Sequence, residues 1–176
     1  MTRVRKTTIR AKRIGWLARR HRQAIKLGMT GADPMQAYGH TAQGASPAMV
    51  RAMRRNLRLC SRHASSRACT TTLLHWEYGA HADPYVSRRV EQLAAWMEVW
   101  QALGKDQQQA ARIEWYRTHL RLNKRGESKR WAFATGPMAA TILTIKYLGW
   151  KPVRPDAWIE SINKNDSGDR VDEVKW

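Results

Sequence analysis

Apolar residues recur at helical spacing along most of the chain. The clearest case opens with Ser46 as N-cap and Pro47 at the first helical position. Its apolar face contains Met49, Val50, Met53, Leu57 and Cys60. Asp83 and Pro84 repeat the same opening signal, so we predict a second long helix from there to about Leu103.

Weaker patterns predict the other elements. A first helix runs from Thr7 or Thr8 to Gly28, and a loop follows over residues 31–45. Three further helices are predicted over residues 69–78, 106–122 and 136–149. Polar residues 161–176 are expected to hold a turn with a short strand after it. The chain is therefore predicted to be mainly α, an irregular helical bundle of about five to six helices with a small irregular or β-containing C-terminal tail.

Charge divides the chain unevenly. It has 32 Lys and Arg against 14 Asp and Glu, a formal net charge of +18. We predict a basic helical nucleic-acid-binding region over residues 1–130 and a charge-neutral region over residues 131–176, which contains one helix and a Pro- and Trp-rich tail. Such an excess attracts polyanions. Nucleic acid is the commonest, although an acidic membrane surface or an acidic protein satisfies the same arithmetic.

Two sets of arginines are the candidate phosphate-binding residues. The first set precedes Asp33, the first acidic residue, and includes Arg13, Arg19, Arg20 and Arg22. The second set lies opposite the apolar face of the helix over residues 46–60 and comprises Arg51, Arg54, Arg55 and Arg58. Guanidinium groups along one side of a helix can meet successive phosphates through bidentate hydrogen bonds. The alternative interpretation is a solvated arginine face.

No combination of residues indicates a catalytic centre, and we predict that the chain is not an enzyme and needs no cofactor. The sequence contains no Gly-rich phosphate loop, no Gly-x-Ser-x-Gly motif and no His-Glu-x-x-His motif. Carboxylates cluster only in the polar tail, at Asp166, Asp169, Asp172 and Glu173. A metal-binding role for this cluster is the less favoured interpretation.

Cysteines, histidines and tryptophans leave two choices open. The side chains able to bind zinc together are Cys60, His63, Cys69 and His75. Their spacing matches no standard zinc finger, so a buried cysteine with surface histidines is preferred over a zinc site. The tryptophans able to stack on bases are Trp16, Trp96, Trp100 and Trp115. Their helical spacing favours core packing instead.

The apolar content and the N-terminus bear on localisation. No run of about 18 apolar residues predicts a membrane span, and the N-terminus lacks the apolar core of a secretory signal. We expect an intracellular protein, nuclear or cytoplasmic, in a reducing compartment. Mitochondrial import is the alternative, because residues 1–28 are Arg-rich, acid-free and amphipathic, as transit peptides are.

Short motifs occur in a fixed order along nearly the whole chain. They are Tyr38-Gly39-His40 with Gly44 and Ser46-Pro47, Cys69-Thr70-Thr71, Asp83-Pro84 with Val86, Trp96 and Trp100, Gly136 to Ile142, Gly149 to Pro152, and Pro155 to Trp158. This order resembles the region after the polymerase domain in reverse-transcriptase-like retroelement proteins of dinoflagellates. The resemblance implies a helical, thumb-like or connector element that grips the template and primer backbone. It carries over no catalytic residue, because the palm segment with its paired aspartates has no counterpart here.

Three hypotheses of function follow. The leading one is a helical module that binds RNA or DNA backbones without sequence specificity, beside a polymerase domain or within a ribonucleoprotein. The alternative is a basic structural component of a ribonucleoprotein, such as an organellar ribosomal protein. The third is a free-standing enzyme, and its main difficulty is the lack of paired carboxylates upstream of the tail.

Overall fold

The computed structural model describes residues 2–65, 67–160 and 173–175. Within these residues the protein is mainly α-helical with a small sheet near the C-terminus, which confirms the predicted fold class. The α-helices are α1 Thr2–Ala18, α2 Asp33–Ala37, α3 His40–Gln43, α4 Pro47–Cys60, α5 Thr70–Tyr78, α6 Pro84–Ala102, α7 Lys105–Asn123 and α8 Gly136–Tyr147. None of the described helices has both the length and the apolar character needed to cross a membrane.

The sheet has three antiparallel strands. They are β1 Lys151–Arg154, β2 Ala157–Ile159 and β3 Glu173–Lys175, in the order β1-β2-β3. Trp158 on the central strand lies opposite Pro152 on one side and Val174 on the other. The strand expected after the polar turn is therefore present as β3. The turn itself, at residues 166–168, lies outside the described residues.

The first predicted helix was wrong in its bounds. It begins at Thr2 and ends at Ala18 rather than Gly28. Residues 19–23 are all polar, so they offer no apolar side chain that could continue the buried stripe. A short 3-10 turn and a π-helical turn at Gly28–Ala32 follow instead.

The loop predicted over residues 31–45 was also wrong, since it contains α2 and α3. Proline in the first turn favours the start of α2. Burial then fixes this short helix, because Asp33, Gln36 and Ala37 all turn into the protein. Tertiary contacts, rather than local propensity, make this segment helical.

The protein consists of two compact units. The N-terminal unit comprises residues 1–40 and 45–90, and the C-terminal unit comprises residues 41–44 and 91–176. The N-terminal unit has 18 Lys and Arg against three Asp and Glu, a net charge of +15. The C-terminal unit has 14 against 11, a net charge of +3. The division at residue 130 was drawn from charge and stays a prediction; the interface proposed below takes only the part of residues 1–130 that lies in the N-terminal unit.

Helices α1 and α4 form the centre of the N-terminal unit. Gly15 lets their backbones approach closely, since a Cβ atom there would lie 2.0 Å from the Leu59 carbonyl oxygen. The capping predicted for α4 is confirmed, because the Ser46 hydroxyl accepts a hydrogen bond of 3.2 Å from the Met49 amide. Buried apolar residues from both helices form the core, namely Ala11, Ile14, Val50, Met53, Leu57 and Cys60.

A chain of buried polar side chains crosses the same unit. The Thr8 hydroxyl donates to Asn56 Oδ1 at 2.9 Å, and the Asn56 amide donates to Gln36 Oε1 at 3.0 Å. Gln36 donates in turn to Asp33 Oδ1 at 3.2 Å. The other Asp33 oxygen accepts from Arg88 at 2.7 Å. This polar chain joins α1, α4, α2 and α6 and satisfies groups that burial would otherwise leave unpaired.

Tryptophans build the core of the C-terminal unit. The Trp96 and Trp115 ring centroids lie 5.5 Å apart, on α6 and α7. Their indole N–H groups donate to the carbonyl oxygens of Pro155 and Pro152, at 2.9 and 3.4 Å. The two helices are thereby fastened to β1 and to the turn that follows it. Other members of this core are Trp100, Leu122, Ala139, Ile142, Leu143, Ile145 and Trp158.

Candidate nucleic-acid interface

The outward face of α1 and the turn after it carry the first predicted arginine set. The apolar face of α1 is buried at Ala11, Ile14 and Ala18. The predicted arginines all lie on the exposed side or just beyond the helix, at Arg13, Arg19, Arg20 and Arg22. All four arginines are therefore exposed, Arg13 on a helix that is anchored by its opposite face and the other three in the segment that follows it.

The second predicted set, on α4, is divided by its contacts. Arg51 and Arg55 lie four residues apart and are exposed. Arg58 is half-buried, and its guanidinium donates to the Ser65 carbonyl oxygen. The outward face of α4 thus presents two fully exposed guanidinium groups and a third that already has a partner.

Arg54 serves the interior of the N-terminal unit. Its Nε atom lies 2.9 Å from Asp83 Oδ1, and its Nη2 atom donates to the Thr71 hydroxyl at 2.6 Å. Asp83 is only 2% exposed and also caps α6 by accepting from the Tyr85 amide at 2.9 Å. The Arg54 charge is therefore neutralised by a buried carboxylate, so its surroundings differ from those of Arg51 and Arg55, and its contact with phosphate stays a prediction.

All three carboxylates of the N-terminal unit have partners. Asp33 pairs with Arg88 and Asp83 with Arg54. Glu77 accepts from the Ser61 hydroxyl at 2.9 Å and lies 4.0 Å from His63. Within the described part of the chain, none of these carboxylates pairs with the six arginines that we name the exposed-arginine set: Arg13, Arg19, Arg20, Arg22, Arg51 and Arg55.

The tryptophans proposed for either stacking or packing separate into two groups. Trp96, Trp100 and Trp115 are buried, as their helical spacing predicted. Trp16 is 53% exposed, and the Arg20 guanidinium lies 3.8 Å from its ring centroid. Beside it is an open depression of about 500 Å³, lined by Lys12, Arg13, Trp16 and Leu17. Lys12 was not among the predicted binding residues, and its only signal in the sequence is its position one helical turn before Trp16.

The four possible zinc ligands lie in different surroundings. Cys60 is buried and donates to the Asn56 carbonyl oxygen at 3.4 Å, and burial raises the pKa of its thiol to about 12. Cys69 is exposed, and hydrogen bonds from the backbone of Thr72 lower the pKa of its thiol. His75 lies 3.8 Å from Asp83. Among the described residues no group of three or more potential ligands is close enough to hold a metal ion.

Most of the acidic cluster of the tail lies outside the described residues. Asp166, Asp169 and Asp172 lie outside the described residues, and Glu173 is described only as the first residue of β3. The structure therefore does not test the metal-binding role, which was the less favoured interpretation of this cluster. The described carboxylates nearest to it in sequence are Asp156 and Glu160, and Asp156 pairs with Arg112 at 3.4 Å.

No family model, no curated protein and no solved structure matches the chain. The resemblance to the region after the polymerase domain of retroelement proteins therefore stays a prediction from the motifs quoted above. Charge, exposure and side-chain contacts are the basis of the function proposed next.

Proposed function

We propose that the protein binds nucleic acid through backbone phosphates without sequence specificity, as a helical module with no catalytic role of its own. One observation carries the proposal. The N-terminal unit has a net charge of +15, its three carboxylates are engaged internally, and the exposed-arginine set points outward. A planar guanidinium with several donors suits phosphate oxygens on any sequence.

Two helices and the segment directly after the first of them present these arginines: Arg13 is on α1, Arg51 and Arg55 are on α4, and the other three follow α1. α1 and α4 are held together by the close contact at Gly15 and by the buried polar chain. Guanidinium groups on a fixed scaffold lose little conformational freedom when they bind, which favours phosphate contacts over loosely held charges. A polymerase domain or a ribonucleoprotein is the larger assembly in which we expect such a module, in keeping with the motif order.

The binding mechanism predicts a steep dependence on salt. Each neutralised phosphate releases condensed counterions, so log K falls with log salt by about 0.9 per phosphate on duplex DNA and about 0.7 on single strands. If all six exposed arginines contact phosphates, the slope on a duplex is about −5.

The test is binding of the purified protein to labelled single-stranded RNA, duplex DNA and an RNA:DNA hybrid across a salt series, measured by fluorescence anisotropy. The key variant replaces Arg51 and Arg55 with alanine. The matched control replaces Arg117 and Arg121, two exposed arginines of α7 in the C-terminal unit. We expect the α4 variant to lose about two units of slope and the α7 variant to bind as the wild type does.

Equal losses in the two variants would contradict the proposed interface, because net charge alone would then account for binding. Failure of the wild type to bind any of the nucleic acids at moderate salt would contradict the function itself. A folded RNA added as a fourth ligand examines the ribonucleoprotein alternative, which requires clear preference for folded RNA over a duplex of equal length.

A further inference from the structure

Trp16 differs from the three tryptophans that pack in the core. Its ring is 53% exposed on the outward face of α1, where the other exposed positions are mainly Arg and Lys. The apolar face of the helix is already buried against the protein, so Trp16 does not contribute to it. A large aromatic ring on a basic surface is a feature that structural packing does not explain.

The surroundings of the Trp16 ring combine a cation–π contact with an adjoining apolar depression. The Arg20 guanidinium lies 3.8 Å from the ring centroid, a cation–π contact that favours these positions of the two side chains. The adjoining depression of about 500 Å³ is lined by Trp16, Leu17, Lys12 and Arg13. Long basic side chains cover such a surface with their aliphatic stems and keep their charged ends at its rim. An apolar surface with a cationic rim suits a group that is flat, apolar on its faces and attached to an anion.

We infer that this depression receives an unpaired nucleobase, stacked on Trp16, while the phosphates beside that base contact Arg13, Arg20 and Lys12. The ligand class is single-stranded RNA or DNA, and the inference rests on the proposed function. A duplex does not supply this ligand, because its bases are covered by their neighbours in the stack. Stacking on an aromatic side chain is tolerant of sequence, since every base has a π-face.

A membrane surface is the competing occupant, and the packing of α1 argues against it. A helix that lies on a bilayer inserts its apolar face among the lipids. In α1 that face is occupied by Ala11, Ile14 and Ala18, which are buried in the N-terminal unit. Among the described residues of the helix, the large apolar side chains that are exposed are Ile9 and Trp16 alone, each at 53%.

The test compares Trp16→Leu with the wild type on four ligands: a single strand, an abasic strand of equal length, a duplex and vesicles containing an anionic phospholipid. Leucine keeps an apolar side chain but cannot stack. The matched control is Trp76→Leu, which removes another tryptophan of the same unit that is 82% exposed. We expect Trp16→Leu to weaken binding to the single strand on the order of tenfold and to leave the abasic strand and the duplex unchanged. Trp76→Leu should behave as the wild type.

Each other outcome overturns the inference. Unchanged binding of Trp16→Leu to the single strand removes the stacking site but leaves the phosphate-binding function intact. Equal weakening on the abasic strand and the duplex assigns Trp16 to the support of α1. Loss of vesicle binding alone assigns the site to lipid. If the wild type binds no nucleic acid, the proposed function fails together with the inference.

Discussion

The cores of the two units of this protein are built from different kinds of residue. The C-terminal unit, with a net charge of +3, surrounds tryptophans with aliphatic residues and ties their N–H groups to backbone carbonyls. The N-terminal unit, with a net charge of +15, packs aliphatic residues with Met53 and Cys60 and contains a buried polar chain that ends in Asp33 and Arg88. Carboxylates employed inside a unit are not available on its surface. Internal pairing leaves the net charge of the unit unchanged, but it keeps the three carboxylates from pairing with the exposed-arginine set.

The largest expected effect on stability comes from removing the negative charge of Asp33 near the end of the polar chain. Asp33→Asn leaves Arg88 buried without its carboxylate, which should lower the free energy of unfolding of the N-terminal unit by about 3–5 kcal/mol. Hydrogen exchange of the α1 and α4 amides during urea titration measures it. The control is Asp156→Asn, whose ion pairs are partly exposed and should cost no more than about 1 kcal/mol. Equal effects would contradict a structural role for the polar chain.

The next effect concerns the close approach of α1 and α4. Gly15→Ala places a methyl group 2.0 Å from the Leu59 carbonyl oxygen, so the helices must separate. We expect destabilisation of about 1–3 kcal/mol, measured by chemical denaturation. At Gly126 an added Cβ meets no atom within 4 Å, and Gly126→Ala is the matched control. If Gly15→Ala is as stable as that control, the two helices pack less closely than described.

Arg54 and Arg55 of α4 are expected to have different roles, Arg54 in stability and Arg55 in binding. Arg54→Ala leaves the nearly buried Asp83 carboxylate without its guanidinium and should lower the free energy of unfolding by about 1.5–3 kcal/mol. Arg55→Ala removes an exposed side chain and should change that free energy by less than about 0.5 kcal/mol.

For nucleic-acid binding, Arg55→Ala should have the larger effect and Arg54→Ala the smaller one. The salt slope should fall by about one unit for Arg55→Ala and stay nearly constant for Arg54→Ala, provided that the latter is measured where it remains folded. Identical slopes for the two variants would contradict the assignment of Arg55 to phosphate and Arg54 to the interior.

The smallest effect is a pH dependence in the C-terminal unit. Burial, Lys146 and Arg130 lower the pKa of His119 below its usual value of 6.5. The unfolded chain therefore takes up a proton on this histidine before the folded chain does, so stability falls as the pH drops below about 6.5. Urea denaturation at neutral and mildly acid pH measures this loss. His119→Gln should reduce it, and an unchanged pH dependence in that variant would assign the loss to other groups.

Capping residues, proline at the first helical position and apolar periodicity predicted where α4 and α6 begin. Ser46 and Pro47 opened α4, Asp83 and Pro84 opened α6, and periodicity separated the apolar face of α4 from its arginines. Such local signals do not predict contacts between residues that are distant in sequence. The pairing of Arg54 with Asp83 joins α4 to the residue that caps α6, and no pattern within α4 distinguishes Arg54 from Arg55.

Burial was predicted less well where two faces of a helix are both partly apolar. Val86 and Val90 share helical spacing with Leu93, Met97 and Trp100, a pattern that predicts one buried face of α6, yet the two valines are 42% and 60% exposed. Trp16 was expected to pack and lies outside. In each case the neighbouring helix that decides the buried face is far away in sequence, so the face could not be chosen from the segment alone.

The buried polar chain also has a consequence for the order in which the protein can fold during synthesis. Its members extend from Thr8 on the first helix to Arg88 on α6. A ribosome delivers the N-terminal end first, so Asp33, Gln36 and Asn56 emerge well before the guanidinium that completes their hydrogen bonds. We expect nascent chains that stop short of residue 88 to remain sensitive to protease. Chains in which residue 88 has cleared the exit tunnel should become protected together across α1, α2 and α4.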